Sequence, residues 1–338
     1  MSNREVSEVQ TFYETDSGLG KMYLGDSRDA LAEMESESVD LIVTSPPFGL
    51  VREKEYGNVS ADNYLDWFGT FADTFRRVLK DTGSLVVDIG GAWNKGKPTR
   101  SLYHFKLAVM LVEQYGFHLA QEFFWWNKAK LPSPAEWVTI RRIRVKDAVN
   151  MVWWFSKTPY PKASNKRVLE PYSKSQMDLF ENGYKAKERP SGHDISDNFS
   201  NENEGSIPPN ILVVPNTKSS GKYYRYCEEN DIDVHPARFP EAIPELFIRM
   251  TTDKEDTVVD PFAGSCVTGA VAERLSRNWI CIDTEEEYLR GGLGRFKGEE
   301  TSEASDSESE TYYEIPKTGL LWNQLPEEPL PEDGGRTR

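Results

Sequence analysis

The stretch TVVDPFAGSCVTGAVAERLSRNWICID, residues 257–283, reads as strand, turn, helix and strand in succession. An apolar run enters a turn at Gly264 and Ser265, a helical segment follows, and WICID closes the unit on Asp283. A glycine at a strand-to-helix turn lets a ligand approach the backbone, and an acid ending the next strand is placed to accept hydrogen bonds from both hydroxyls of a ribose. Taken alone, the same pattern serves equally well as an ordinary tight turn. Its neighbours in the sequence have to decide.

Val39–Leu50, VDLIVTSPPFGL, is a second apolar run of core-strand type, and it stops on Ser45, two prolines and Phe48. Pro46 and Pro47 have fixed φ and no N–H, so they cannot extend a sheet and they hold the chain in a stiff exit. The carbonyl oxygens there and the Ser45 hydroxyl lack ladder partners and act as acceptors beside the flat face of Phe48. Acceptors next to an aromatic ring suit a planar group bearing an amine, such as a nucleobase.

The remaining periodicities extend this picture. KMYLGDS reads as a strand leading to Asp26, RDALAEMES as a helix, and ADNYLDWFGTFADTFRRVL places Leu65, Phe68, Ala72, Phe75 and Leu79 at helical spacing. GSLVVDIGG is another buried strand, FKLAVMLVEQYG a helix ending near Gly116, and FHLAQEFFWWN and DAVNMVWWFS two further strands. HPARFPEAIPELFIRMTT is a helix. Strands alternating with helices predict an α/β fold, a doubly wound parallel sheet covered on both faces, with ligands outside the carboxyl ends of the strands. Trp125-Trp126 and Trp153-Trp154 are read as filling both faces of that sheet, and Asp88 as a loop-ordering carboxylate. Residues 161–233 are polar and rich in turn formers, which predicts loops or an inserted lobe, and the acidic run EETSEASDSESE predicts disorder.

Composition limits the function classes. No run of eighteen apolar residues and no signal peptide is present, so a cytoplasmic protein with no membrane contact is expected. Cys227, Cys266 and Cys281 fit no CxxC spacing and the four histidines are scattered, so no metal is expected. The formal net charge of −15 at first argues against a polyanionic partner, but residues 128–174 carry eleven Lys or Arg against three acids, whereas 299–338 carry eleven acids against three bases. Arg141, Arg142, Arg144 and Lys146 are therefore candidates for DNA phosphate contacts. Lys162, Lys166 and Arg167, with Lys174, Lys185 and Lys187, are candidates for backbone or base contacts from the insert. The competing reading of 140–146 is an edge strand whose Ile140, Ile143 and Val145 partly face a core.

TSPPF together with DPFAGS resembles the amino-methylating DNA methyltransferases, which use S-adenosylmethionine and carry a [DNS]PP[YF] loop and an FxGxG loop. Ser in the first position resembles the cytosine-N4 branch, Asp or Asn being typical of adenine-N6 enzymes. GSLVVDIGGAW, AQEFFWWNKAKLPSPAEWVTIRRIRVKDAVN and HPARFPEAIPELFIRM are similar to the PvuII-type modification methylases of type II restriction-modification systems, and the likeness spans Met22 to Gly292.

The resemblance implies a Rossmann-like, mostly parallel seven-stranded sheet. It is circularly permuted, so that the catalytic loop precedes the cofactor loop. Residues 1–160 would form the catalytic half, 161–234 a target-recognition insert, 235–298 the cofactor-binding half and 299–338 the disordered tail. Ser45, Pro46, Pro47 and Phe48 would grip the amine of a flipped cytosine in duplex DNA. Asp260, Phe262, Gly264 and Ser265 would hold the methionine part of the cofactor, Asp283 its ribose and Asp26 its adenine, with Pro236, Arg238 and Pro240 flanking it from the other side. Implied partners are double-stranded DNA and a cognate endonuclease acting on the same site without direct contact, the protein itself being a monomer or weak dimer. One departure is Cys266, which stands where the final glycine of FxGxG is usual. A nucleophilic cysteine would need Pro-Cys in the catalytic loop, which here is Pro-Pro, so Cys266 is read as packing. Two alternatives stay open: adenine-N6 methylation, and a non-catalytic DNA-binding relative.

Overall fold

The computed structural model describes residues 9–49, 59–182, 204–216, 221–238 and 240–297. In chain order the elements are β1 (Gln10–Glu14), β2 (Gly20–Leu24), α1 (Ser27–Ala32), β3 (Val39–Thr44), α2 (Tyr64–Val78), β4 (Leu79–Gly90), α3 (Tyr103–Glu113), β5 (His118–Trp126) and β6 (Val149–Ser156). They continue with α4 (Lys174–Asn182), β7 (Ile211–Leu212), α5 (Lys222–Glu229), α6 (Ala242–Thr251), β8 (Thr257–Asp260), α7 (Val267–Arg274), β9 (Asn278–Asp283) and α8 (Glu286–Gly292). The strands form one sheet in the order β1-β2-β9-β8-β3-β4-β6-β5-β7. Neighbours from β2 through β4 pair in parallel, and β6 runs against both β4 and β5. The seven expected strands are present, and β1 and the short β7 add one at each end of the sheet.

All six residues of β3 are buried, which explains why VDLIVT reads as a continuous apolar run rather than an alternation. Leu41 and Val43 point to one face, among Phe247 and Ile248 of α6 and Val258 of β8. Ile42 points to the other, among Phe68, Phe75 and Leu107 of α2 and α3. The tryptophans divide in the same way: Trp125 and Trp154 fill the α6 face and Trp153 the α3 face, while Trp126 is exposed.

β3 and β8 are adjacent, yet β3 feeds α2 on one face and β8 feeds α7 on the other. This divergence opens a crevice beyond their carboxyl ends. The late strands β8 and β9 lie between the early strands β2 and β3, as a permuted chain requires. β2 pairs with β9, Leu24 opposite Asp283, so in space residues 20–24 belong with the later segment. The segment 1–160 therefore does not coincide with one half of the sheet.

Between 161 and 233 the described residues form more than loops: a short turn at Asn165–Val168, α4, β7, and α5, which buries Tyr223 and Cys227. The rest of the insert, including Lys185 and Lys187, and the acidic tail lie outside the described residues. Among the described residues no helix is long and apolar enough to cross a membrane, and no group of three His, Cys, Asp or Glu is placed to hold a metal.

Candidate active site

Two loops meet in the crevice, Ser45–Phe48 after β3 and Pro261–Ser265 after β8, and both line it. Asp260 holds their bases in register. It accepts from Thr44 Oγ1 at 2.6 Å and from Thr268 Oγ1 at 2.7 Å, and burial raises its carboxyl to about 6. Asp260 thus sits beneath the crevice with both oxygens engaged, and the wall facing a ligand is made by the loop above it.

That loop turns on Gly264, whose φ is +48°, and a Cβ there would come within 3.0 Å of His235 Nε2. The absent side chain leaves the backbone open to close approach. Gly264 N donates to Asp283 Oδ2 at 2.7 Å and Glu285 N to Oδ1 at 3.0 Å, so Asp283 fastens two loops while lining the crevice. Burial brings the Asp283 carboxyl up to about 6. Asp26, also on the wall, caps α1 by accepting from Arg28 N at 2.9 Å and takes the Arg28 guanidinium at 2.8 Å. Phe262 packs against Trp67 and Phe71, ring centroids 5.5 and 5.0 Å away. Opposite lies His235, edge-on to Tyr288 at 4.2 Å, its pKa brought down to about 4 by burial and then by Arg238. Arg238 lines the crevice and is braced by the Tyr224 hydroxyl at 2.5 Å. Pro236 is exposed and Pro240 buried, and neither lines the crevice.

On the other loop Ser45 Oγ donates to Asp88 Oδ2 at 3.0 Å, and Asn150 Nδ2 donates to Asp88 Oδ1 at 3.3 Å. Burial pushes the Asp88 carboxyl up to about 7, against the lowering influence of Ser45, Asn150 and Lys130. Asp88 does order the loop, and in doing so it sets the direction of a hydroxyl. With its hydrogen committed to Asp88, Ser45 can offer only lone pairs to the crevice. The Phe48 ring packs against Gly90, where a Cβ would stand 2.7 Å from its Cε2, so the ring position depends on that glycine.

Cys266 caps α7 in the left-handed region, φ +55°, fully buried and against Gly292. This explains why glycine is usual here; a side chain in that conformation costs about 1 kcal/mol. Its thiol is inaccessible.

The basic residues separate into two groups. Lys162 bonds Asp253 at 2.8 Å and Asp256 at 2.6 Å, and buried Arg167 pairs with Asp253 and donates to the Thr252 carbonyl at 2.6 Å. These acids precede β8, at the amino edge of the sheet, so Lys162 and Arg167 face away from the crevice. There they close the sheet through ion pairs. Lys166 is exposed on the same turn. The loop 127–148, by contrast, rises from the crevice edge between β5 and β6. It holds a π-helical turn, Glu136–Ile140, and no edge strand, and Ile140, Ile143 and Val145 are exposed. Within it Lys146 Nζ donates to the carbonyls of Lys128 and Lys130 at 3.0 Å each, and Arg144 pairs with Asp147 at 3.0 Å, so both brace the loop. Arg141 lies over Trp137 and pairs with Glu136 at 2.6 Å, and Arg142 is exposed.

Sequence reasoning missed Trp67, Phe71, His235 and Tyr288. Trp67 and Phe71 stand one helical turn apart on α2 beside its core stripe, and nothing in the pattern separates a crevice wall from a core.

A doubly wound sheet with a glycine turn and a Ser-Pro-Pro-Phe loop meeting at one switch point has the form of a Rossmann-like methyltransferase. The chain belongs to the DNA methylase family of N6 and N4 methyltransferases, whose model matches residues 39–293. It is 51% identical over 287 residues to the type II methyltransferase M.PvuII of Proteus hauseri, covering 84% of this chain and 85% of that one. M.BglII of Bacillus subtilis is 27% identical over 80% of this chain and 67% of its own. A solved PvuII DNA methyltransferase described as cytosine-N4-specific superposes with a TM-score of 0.70 at 43% identity, covering 88% of this chain and 92% of that chain.

Proposed function

We propose that this protein is a site-specific DNA methyltransferase that uses S-adenosylmethionine to methylate the exocyclic N4 amine of a cytosine flipped out of duplex DNA. It would act in the cytoplasm as the modification member of a restriction-modification system, its endonuclease acting on the same site independently. The observation that carries this reading is the Ser45–Asp88 hydrogen bond of 3.0 Å, which turns Ser45 into an acceptor beside the Pro46 carbonyl and Phe48, in the crevice that Gly264 and Asp283 also line. The similarity to M.PvuII and the serine in SPPF support cytosine N4 as the target.

The residues present fit the cofactor. The open backbone at Gly264 suits the methionine part, Asp283 the ribose hydroxyls, Asp26 the adenine amine, and the Phe262, Trp67 and Phe71 wall a flat ring. When bound, S-adenosylmethionine supplies a methyl group activated on a sulfonium sulfur. The chain's own work is on the amine. The cytosine N4 lone pair is conjugated with its ring; donation of the two amine hydrogens to Ser45 Oγ and the Pro46 carbonyl draws the nitrogen towards tetrahedral geometry and frees that pair. Phe48 holds the ring by stacking, offsetting part of the few kcal/mol spent on unstacking the base. Methylation at the expense of the cofactor's methyl–sulfur bond would leave the nitrogen cationic; its proton would pass to Ser45 as the Ser45 proton passes to Asp88, whose pKa of about 7 suits a carboxylate that must both accept and release it. Positioning of the two reactants contributes ~7–11 kcal/mol, and no covalent enzyme intermediate is involved.

The test is to incubate the protein with duplex DNA and labelled cofactor, digest to nucleosides and identify the labelled one. Label in N4-methylcytosine is the expected result; N6-methyladenine would make it an adenine enzyme, and bound but unlabelled DNA a non-catalytic relative.

A further inference from the structure

The loop 127–148 leaves β5 and re-enters β6 at the carboxyl edge of the sheet, beside Ser45. It is internally braced. Lys146 ties its two arms through the carbonyls of Lys128 and Lys130, Asp147 N donates to Ser133 O at 3.2 Å, and the Asp147 carboxylate takes Arg144 at 3.0 Å and also Arg100. Such a scaffold can hold side chains rigidly in water, and several of those it holds out are apolar. Val145 is 87% exposed and Leu131 79%, the two highest values among the large hydrophobic residues described, with Ile140 at 69% close behind. Both flank the brace: Leu131 follows Lys130, and Val145 precedes Lys146. The root of the loop is tied to Ser45 through Asp88, which takes Asn150 of β6 at 3.3 Å and the Ser45 hydroxyl at 3.0 Å, and the partly buried Lys130 ammonium feels the same carboxylate. Exposed Arg142 and Arg141 lie on the same loop and fit a polyanion.

A base extruded from a duplex leaves a gap in the stack, and apolar side chains are the groups that proteins insert between base steps. We propose that Leu131 and Val145 form an apolar wedge that enters the DNA stack next to the target base and fills the space it vacates. This rests on the reading that the protein methylates a flipped base in duplex DNA. The wedge lowers the cost of extrusion and does not touch the reacting atoms, so these are positioning residues. Its signature is a defect that depends on how firmly the target base is paired.

The experiment compares the full chain with the double variant Leu131→Ser/Val145→Ser. The substrate is a short duplex carrying the site found methylated, by long-read sequencing, in cells expressing the protein. A second duplex is identical except for an abasic position opposite the target. Both positions are exposed, so the variant should keep the parent's melting temperature, and Leu131→Met should keep its rate. On the matched duplex the double variant should transfer label roughly tenfold or more slowly, equivalent to about 1.4 kcal/mol of the extrusion cost. On the abasic duplex, where pairing no longer resists, the defect should largely vanish. Equal losses on both duplexes, or none on the matched one, would overturn the wedge while leaving the methyltransferase reading intact. Absence of transfer by the unaltered protein on either duplex would overturn both.

Discussion

The two edges of the sheet both gather acidic and basic side chains, and they use them in opposite ways. At the amino edge Asp253 and Asp256 meet Lys162, and Asp253 also meets Arg167; burial pushes the Asp253 carboxyl up, but Lys162 and Arg167 hold it below its ordinary value. At the carboxyl edge Asp88, Asp260 and Asp283 are met by hydroxyls, an amide and backbone N–H groups, and burial lifts them to between about 6 and about 7. A carboxylate held by a cation keeps its charge across the physiological range. One held by neutral donors sits close to protonation, and there a proton can move.

Replacing Arg167 with Met tests the amino edge most severely. It leaves Asp253 with Lys162 alone and removes the buried guanidinium's bond to the Thr252 carbonyl, and should cost about 1–3 kcal/mol in urea unfolding, with methyl transfer per folded molecule unchanged. Lost transfer in a fully folded variant would show that the edges are not separate in function. Asp88→Asn tests the other side: it keeps the shape but cannot take a proton, so turnover should fall by about 10²–10³ with cofactor affinity retained. The turnover of the parent should rise with pH through about 7, and the variant should lose that inflection. The same carboxylates have a stability signature whose sign is opposite to that of an ordinary salt bridge. Their folded pKa values exceed the usual 3.8, so the native state keeps protons that the unfolded chain has released. Stability should therefore decline as pH rises from about 4 to about 7, and Asp88→Asn should flatten the upper part of that decline in a series of melting curves. Arg142→Ala is the mildest change: DNA affinity should weaken equally for all sequences and the salt slope should drop by about 1.

Much of this arrangement was legible in the residues. The apolar run of β3, the spacing of Phe68, Ala72 and Phe75 on α2 and the turn at Gly264 each carry a local physical signature, and together they give the sheet, its covering helices and the crevice between two loops. Basic residues carry no such signature. Lys162, Arg167 and Arg142 look alike in sequence, and only the direction in which β6 runs, against its neighbours, sends the first two to the far edge. The alternation of Ile143 and Val145 with arginine and lysine imitates a strand, but the loop meets its hydrogen-bonding needs through Lys146 and Asp147 instead of a ladder. α5 was hidden because the tyrosines and charges of KYYRYCEE bury only Tyr223 and Cys227.

The permuted order has a temporal consequence. Synthesis delivers the Ser45 loop early and the Gly264 turn late, and between β3 and β8 the ladder joins only Leu41 to Val258 and Ile42 to Val259. A nascent chain ending before Gly264 therefore carries one wall of the crevice and lacks the other.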